Sequence, residues 1–326
     1  MSVLVAGGAG YIGSVTAAEL LQRGYEVVVY DNLDRGHRAA VPRGAVFIEA
    51  ELSDTRRLIQ VLRDYRVEAV MHFAAHSLVG ESMTKPELYY ENNVVTGKRI
   101  LDAMHMAEVG YLIFSSTCAT FGEPECLPIT EDLPQAPTSV YGETKLVFER
   151  MLHWYHRVHG LNYGILRYFN AAGAAHGLGE DHNPETHLIP LVLLAAMGKL
   201  DKITVFGDDY PTPDGTCIRD YIHILDLARA HVLLMEKKRQ AASHYNLGNG
   251  NGYSVKEVIA TAQKITGRPI KTVVGPRRPG DPPILIGSTD KIKRELGWQP
   301  EFPDLESIIR TAWEWHTAHP NGYQDK

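Results

Sequence analysis

A short apolar run, Val3-Leu4-Val5-Ala6, passes directly into Gly7-Gly8-Ala9-Gly10-Tyr11-Ile12-Gly13 and then into a stretch of helical periodicity. Few folds accommodate this. Glycines at G-x-x-G-x-x-G spacing between a strand and a helix let backbone N–H groups approach a pyrophosphate, and the helix N-terminus adds a favourable dipole. A glycine string by itself also suits a turn. Asp31 narrows the reading: it ends the next apolar run, eighteen residues beyond Gly13, where a carboxylate receives an adenosine ribose hydroxyl. A carboxylate there repels a 2′-phosphate and favours NAD over NADP, while Arg35, His37 and Arg38 just downstream leave NADP open.

The alternation continues along the chain. Short β-branched runs over 3–6, 27–30, 46–48, 69–74, 111–116 and 165–169 predict strands, separated by helices over 13–23, 54–64, 86–106 and 139–159. This pattern requires a doubly wound parallel sheet covered on both faces. From 171 to 190 the chain is rich in Gly, Ala, His and Pro and later elements are shorter, which marks the start of a second, smaller unit. Helices are expected there over 224–237 and 254–266, the latter opening on a Ser254/Glu257 capping box and closing at Gly267.

Composition excludes several classes. Lys and Arg number 33 against 39 Asp and Glu, a net charge of -6, which disfavours a polybasic nucleic-acid surface; 44% apolar and 22% charged residues disfavour disorder. The longest apolar stretch, 188–197, is broken by Pro190, whereas a membrane span needs about 20 residues. No basic n-region follows Met1-Ser2, so no export is expected. Cys118, Cys126 and Cys217 are too few and too scattered for a disulfide framework, which fits a reducing cytoplasm. His153, His156 and His159 recur on one expected helix with no acidic or cysteine partner evident, so no metal is expected.

Tyr141 and Lys145 lie four apart, on one face of the helix expected over 139–159. A free phenol titrates near 10, so Tyr141 makes a base at neutral pH only beside a cation. A shift of about three units asks for about 4 kcal/mol. Lys145 and the positive ring of bound NAD can share that task. The strand before this helix runs out into Ser115-Ser116-Thr117-Cys118-Ala119, placing hydroxyls at the carboxyl edge where such sheets bind ligands.

Further segments are informative: His72-Phe73-Ala74-Ala75, Val79-Gly80-Glu81-Ser82, Tyr89-Tyr90-Glu91-Asn92-Asn93, Arg167-Tyr168-Phe169-Asn170, Gly215-Thr216-Cys217-Ile218-Arg219-Asp220-Tyr221-Ile222-His223 and Arg277-Arg278-Pro279-Gly280-Asp281. With the glycine motif and the Tyr141/Lys145 pair, they resemble the extended short-chain dehydrogenase/reductase family over essentially the whole chain, and within it the UDP-glucose 4-epimerases. The resemblance implies a Rossmann-type doubly wound sheet holding NAD over 1–170, rejoined by parts of 216–250. A smaller C-terminal α/β substrate domain, mainly 171–326, would take the UDP-sugar. It also implies a cytoplasmic homodimer, with the helices over 86–106 and 139–159 as a candidate seam.

The catalytic residues so implied are Tyr141, Lys145 and Thr117. NAD contacts would come from Gly7, Gly10, Tyr11, Ile12, Gly13, Asp31, Asn32, Leu52, Phe73, Ala74, Ala75, Asn93, Lys145 and Tyr168. Substrate contacts would come from Thr117, Tyr141, Phe169, Asn170, His187, Leu188, Phe206, Arg219, Tyr221, Arg278, Asp281 and Leu285, with Leu285 limiting room for an acetamido group. Glu51 stands where Asp is usual, Ser77 where some relatives have Lys, and His187 where Asn is often found. The arginines have a reason of their own, since guanidinium forks bind phosphate oxygens bidentately. The implied reaction is reversible oxidation at C4 of UDP-galactose or UDP-glucose to a 4-keto sugar, rotation and re-reduction. Another nucleotide-sugar epimerase, such as one for UDP-GlcNAc, or a dehydratase is the alternative. A dehydratase would place acidic residues beside the strand-end hydroxyl, where this chain has Cys118 and Ala119.

Overall fold

The computed structural model describes residues 1–278 and 280–324; Pro279, within the quoted Arg277–Asp281 motif, lies outside the described residues. The strands are β1 (Ser2–Ala6), β2 (Glu26–Asp31), β3 (Val46–Glu49), β4 (Val67–His72), β5 (Tyr111–Thr117), β6 (Asn162–Tyr168), β7 (Asn170–Ala172), β8 (Ile203–Phe206), β9 (Ile218–His223), β10 (Ala242–Leu247), β11 (Gly252–Ser254), β12 (Thr272–Gly275) and β13 (Ile284–Leu285). The helices are α1 (Tyr11–Gln22), α2 (Thr55–Asp64), α3 (Val79–Ser82), α4 (Pro86–Tyr89), α5 (Gly97–Met106), α6 (Val140–His159), α7 (Leu188–Ala196), α8 (Ile224–Lys238), α9 (Val255–Thr266), α10 (Asp290–Leu296) and α11 (Leu305–Ala318).

Seven strands form one parallel sheet in the order β10-β6-β5-β4-β1-β2-β3, the Rossmann-type doubly wound arrangement. The strand period of two explains why its central strands are apolar throughout. Val3 and Val5 join the core that α1 and α8 cover, whereas Leu4 and Ala6 join the core beneath α2, α5 and α6. The order reverses between β1 and β4, and the carboxyl ends of the strands at such a switch point are where sheets of this kind bind ligands. A third core gathers α7, α9, α11 and Tyr221 of β9, next to the smaller sheets β11-β9-β13 and β12-β8. No helix among the described residues is long and apolar enough to cross a membrane.

Local chemistry sets the helix ends. Ser139 Oγ accepts from Gly142 N at 3.1 Å to start α6, and Gly160, left-handed at φ 71, closes it. The Ser254/Glu257 capping box opens α9. The expected single helix over 86–106 is instead α4, a π-helical run Tyr90–Thr96, and α5. Inside that run Asn93 bonds the main chain of His76 through both amide atoms and also reaches Thr144 Oγ1 at 3.0 Å. The wider turn thereby joins the β4 exit to α6.

Candidate active site

The first βα turn is built on close backbone approach. Gly7 adopts φ 80, and a Cβ on it would sit 2.5 Å from Ala74 N; a Cβ on Gly13 would sit 2.2 Å from Gly7 O. Gly10 is extended and gives α1 no side-chain cap, so the first-turn N–H groups of Tyr11, Ile12 and Gly13 are left as donors for an anion. Asp31 closes β2 and is 8% exposed; its Oδ2 accepts from Ala9 N and its Oδ1 from Leu33 N, both at 2.9 Å. Burial raises its pKa, opposed by those two N–H groups. Each carboxylate oxygen keeps capacity for a ribose hydroxyl. This cradle fits a dinucleotide.

Around it, Asn32 Nδ2 holds the Glu51 carboxylate at 3.1 and 3.2 Å, and Leu52 packs half-buried beside the core under α2. Phe73 and Ala74 turn back from β4 to donate to Ala6 O at 2.8 and 3.1 Å, which ends that strand before the expected residue 74. Ala75 follows them, half-buried. Tyr11 donates its hydroxyl to Gly173 O at 2.6 Å. The basic residues that left NADP open are engaged: Arg35 with Asp34 and Glu81, His37 with the Asp181 carbonyl at 2.9 Å, and Arg38 with Glu49.

At the end of β5 the proton-handling groups converge. Tyr141 and Lys145 lie in the first two turns of α6 and are 9% and 4% exposed. Lys145 Nζ donates to Ser115 O at 2.8 Å and sits 5.9 Å from the Tyr141 ring centre. The Thr117 hydroxyl, which accepts from Ala119 N at 3.2 Å, favours the ionised form of the Tyr141 phenol. Burial drives the phenol far above its usual range, and the Thr117 hydroxyl pulls it down. Burial lowers Lys145 to about 7, with Glu149 opposing. Tyr168 Oη pairs with Ser115 Oγ at 2.6 Å, so the strand-end serine braces one expected cofactor contact and its carbonyl braces another.

The expected sugar-nucleotide contacts come from the β7, β9 and β13 edge. Register pairs Asn170 with Tyr221 and Arg219 with Leu285. Asn170 Nδ2 donates to Asp220 O at 2.9 Å, and Tyr221 is buried. Arg219 forms an ion pair with Asp281, and its charge lowers the Cys118 thiol against the dominant effect of burial, which pushes that thiol up to about 12. Phe169 is buried with Phe121, and Leu285 packs against them. The Arg278 guanidinium lies 4.1 Å over the Phe206 ring, and Phe206 is 38% exposed, so this phenylalanine lies at the surface beside Arg278 and not in the core. Arg278 and Asp281 line a cleft of about 530 Å³ together with Tyr210 and Arg277. His187 stands at the N-cap position of α7 without a side-chain cap and Leu188 begins the helix; neither lines that cleft.

Four supporting roles were not read from the sequence, although Ser115 was placed at the ligand-binding edge. Ser82 Oγ accepts from Tyr141 N at 3.2 Å, Ser115 braces Lys145 and Tyr168, and Glu149 favours the Lys145 ammonium. Asp220, raised to about 6 by burial, accepts from Asn249 N, Gly250 N and Gly287 N and so ties two loops to β9. Glu149 had a signal, since it continues the spacing of four that links Tyr141 to Lys145.

A dinucleotide cradle beside a buried tyrosine–lysine pair defines the short-chain dehydrogenase/reductase class. Within it, the chain belongs to the NAD dependent epimerase/dehydratase family, whose model matches residues 3–248. It is 50% identical to a UDP-glucose 4-epimerase of Halalkalibacterium halodurans over 99% of this chain and 98% of that protein. It is 52% identical to one of Corynebacterium glutamicum, over 98% and 96%. A crystal structure of UDP-glucose 4-epimerase superimposes with a TM-score of 0.97 at 51% identity, over 99% of this chain and 100% of that one. The Brucella ovis UDP-glucose 4-epimerase in complex with NAD gives 0.93 at 49% identity, over 96% and 97%.

Proposed function

We propose that this protein interconverts UDP-galactose and UDP-glucose by NAD-linked oxidation at C4 to a 4-keto sugar, rotation and re-reduction. The observation that carries the reading is the convergence of Thr117, Tyr141 and Lys145 at the end of β5, beside the glycine cradle. Gly7, Gly10, Tyr11, Ile12, Gly13 and Asp31 would hold NAD, which would supply the two-electron acceptor for C4 and a positive ring charge. Tyr141 takes the proton from sugar O4 and later returns it. Thr117 holds the phenol oxygen in line, and the Lys145 ammonium favours its anionic form. Arg219 and Arg278 grip the diphosphate and Phe206 flanks the uracil, so the UDP end stays fixed while the keto sugar turns over against Phe169 and Leu285.

A dehydratase needs a further acid next to Thr117. Cys118 occupies that place with its thiol pushed up to about 12, which disfavours that alternative. Incubation of purified protein with UDP-galactose, with no NAD added, is expected to yield UDP-glucose on chromatography. Absence of product even with NAD supplied would overturn the substrate assignment, and accumulation of a 4-keto product would identify a dehydratase.

The same proposal divides the chain into an NAD-binding unit, 1–170 with parts of 216–250, and a UDP-sugar unit over most of 171–326. It places the protein in the cytoplasm, consistent with three free cysteines, and pairs two copies through α5 and α6. Trp154 and Val158, spaced four apart on α6, are 57% and 67% exposed, and Met106 of α5 is also exposed. Trp154→Glu is expected to shift sedimentation from dimer to monomer. A wild-type protein that sediments as a monomer would refute the seam.

A further inference from the structure

Between β7 and α7 the chain carries Glu180, His182, Glu185 and His187, an E-x-H-x-x-E-x-H spacing. Each offers one donor atom, and the four donor atoms lie within 4.8 Å of one another. His187 Nδ1 is 2.8 Å from Glu180 Oε1 and 3.0 Å from Glu185 Oε1; His182 Nδ1 is 3.1 Å from Glu180 Oε1 and 3.7 Å from Glu185 Oε2. Tetrahedral zinc, with bonds of about 2.0–2.1 Å to imidazole nitrogen and carboxylate oxygen, sets its donors about 3.4 Å apart. The four observed separations straddle that value. Both imidazoles aim Nδ1 at the buried Glu180 carboxylate, their ring centres 5.2 Å apart, so the two histidines and the two acids point to one shared centre.

We propose that Glu180, His182, Glu185 and His187 form a zinc site, one per chain. Two imidazoles with two carboxylates suit zinc among the common divalent ions, whereas magnesium and calcium favour all-oxygen sites. The surroundings hold the donors in place. The Tyr11 ring meets His182 edge-on at 6.2 Å, His37 bonds the Asp181 carbonyl at 2.9 Å, and Arg35 donates to the Asn183 carbonyl at 3.2 Å. His187 stands at the N-cap position of α7. A zinc ion here would pin one loop between the glycine-turn helix α1 and α7, joining the dinucleotide half of the molecule to the sugar-nucleotide half.

Untagged full-length protein, stripped with a chelator and titrated with Zn²⁺ against a chromogenic chelator, is expected to take up one tightly held equivalent. The His182→Ala/Glu185→Gln double variant is expected to lose that equivalent, and the His153→Ala/His156→Ala/His159→Ala variant to keep it. Equal uptake by the double variant, or no tight equivalent in the wild type, would overturn the site. Co²⁺ in the wild type gives a reading that does not depend on how the variants fold. Intense visible d–d absorption of a four-coordinate ion is expected, and the pale spectrum of octahedral cobalt would overturn the site.

Discussion

Tyr141→Phe is expected to lower turnover of UDP-galactose by about 10²–10⁴-fold, the usual contribution of a positioned acid–base group, while leaving the fold and the retained NAD intact. The expectation follows from the site's polarity. Tyr141 is buried on the first turn of α6, and burial alone would keep its proton on. Only the Thr117 hydroxyl and a neighbouring cation can draw the phenol towards ionisation, and Lys145 is placed for that, fixed by the Ser115 carbonyl. The substitution removes one oxygen from a side chain whose ring remains to fill its space, so circular dichroism and the NAD absorbance of the purified protein should match the wild type. A Tyr141→Phe enzyme turning over within tenfold of the wild type would remove Tyr141 from the role of base.

What the sequence made legible is what depends on neighbours in the chain. The β1 run, the glycine turn and Asp31 declare themselves because strand, turn and helix follow within a few residues. The helix over 139–159 is readable to within one residue, because Ser139 and Gly160 terminate it chemically and not through packing. The 86–106 segment is not legible in this way. Its π-helical run is tied to Asn93 reaching across to His76 and Thr144, contacts formed only after β4 and α6 are in place. Asp220 is opaque for the same reason, since its backbone partners Asn249, Gly250 and Gly287 lie far along the chain. Phe206 shows a subtler limit: a phenylalanine ending a strand carries no sign of its exposure until Arg278 is found over its ring. The Glu180–His187 residues are close in the chain, but the convergence of their four donor atoms is set by the fold.

Glu149→Ala is expected to reduce the free energy of unfolding by about 3–5 kcal/mol, the range found when one member of a buried ion pair is removed. Arg167 Nε lies 3.0 Å from Glu149 Oε1, and its terminal nitrogen lies 2.7 Å from Oε2 in a bidentate grip; the two side chains are 6% and 5% exposed. Ser116 Oγ, at 2.6 Å, and Gln135 Nε2, at 3.1 Å, complete the carboxylate's partners. Without the carboxylate, a guanidinium is left in the protein interior with no counter-charge. Replacing both members, with Glu149→Leu and Arg167→Met, should recover most of the stability, because neither charge then has to be buried. The two variants should nonetheless share a catalytic defect. Glu149 is the acid that opposes burial at Lys145, so its loss takes the ammonium below about 7 and weakens the cation that Tyr141 requires. Urea unfolding of both variants, with turnover measured at neutral pH, separates the two effects. If Glu149→Ala loses less than about 1 kcal/mol, water entering the adjoining recess beside Gln135 and His244 must be resolvating Arg167, and the pair is then not a buried one in the energetic sense.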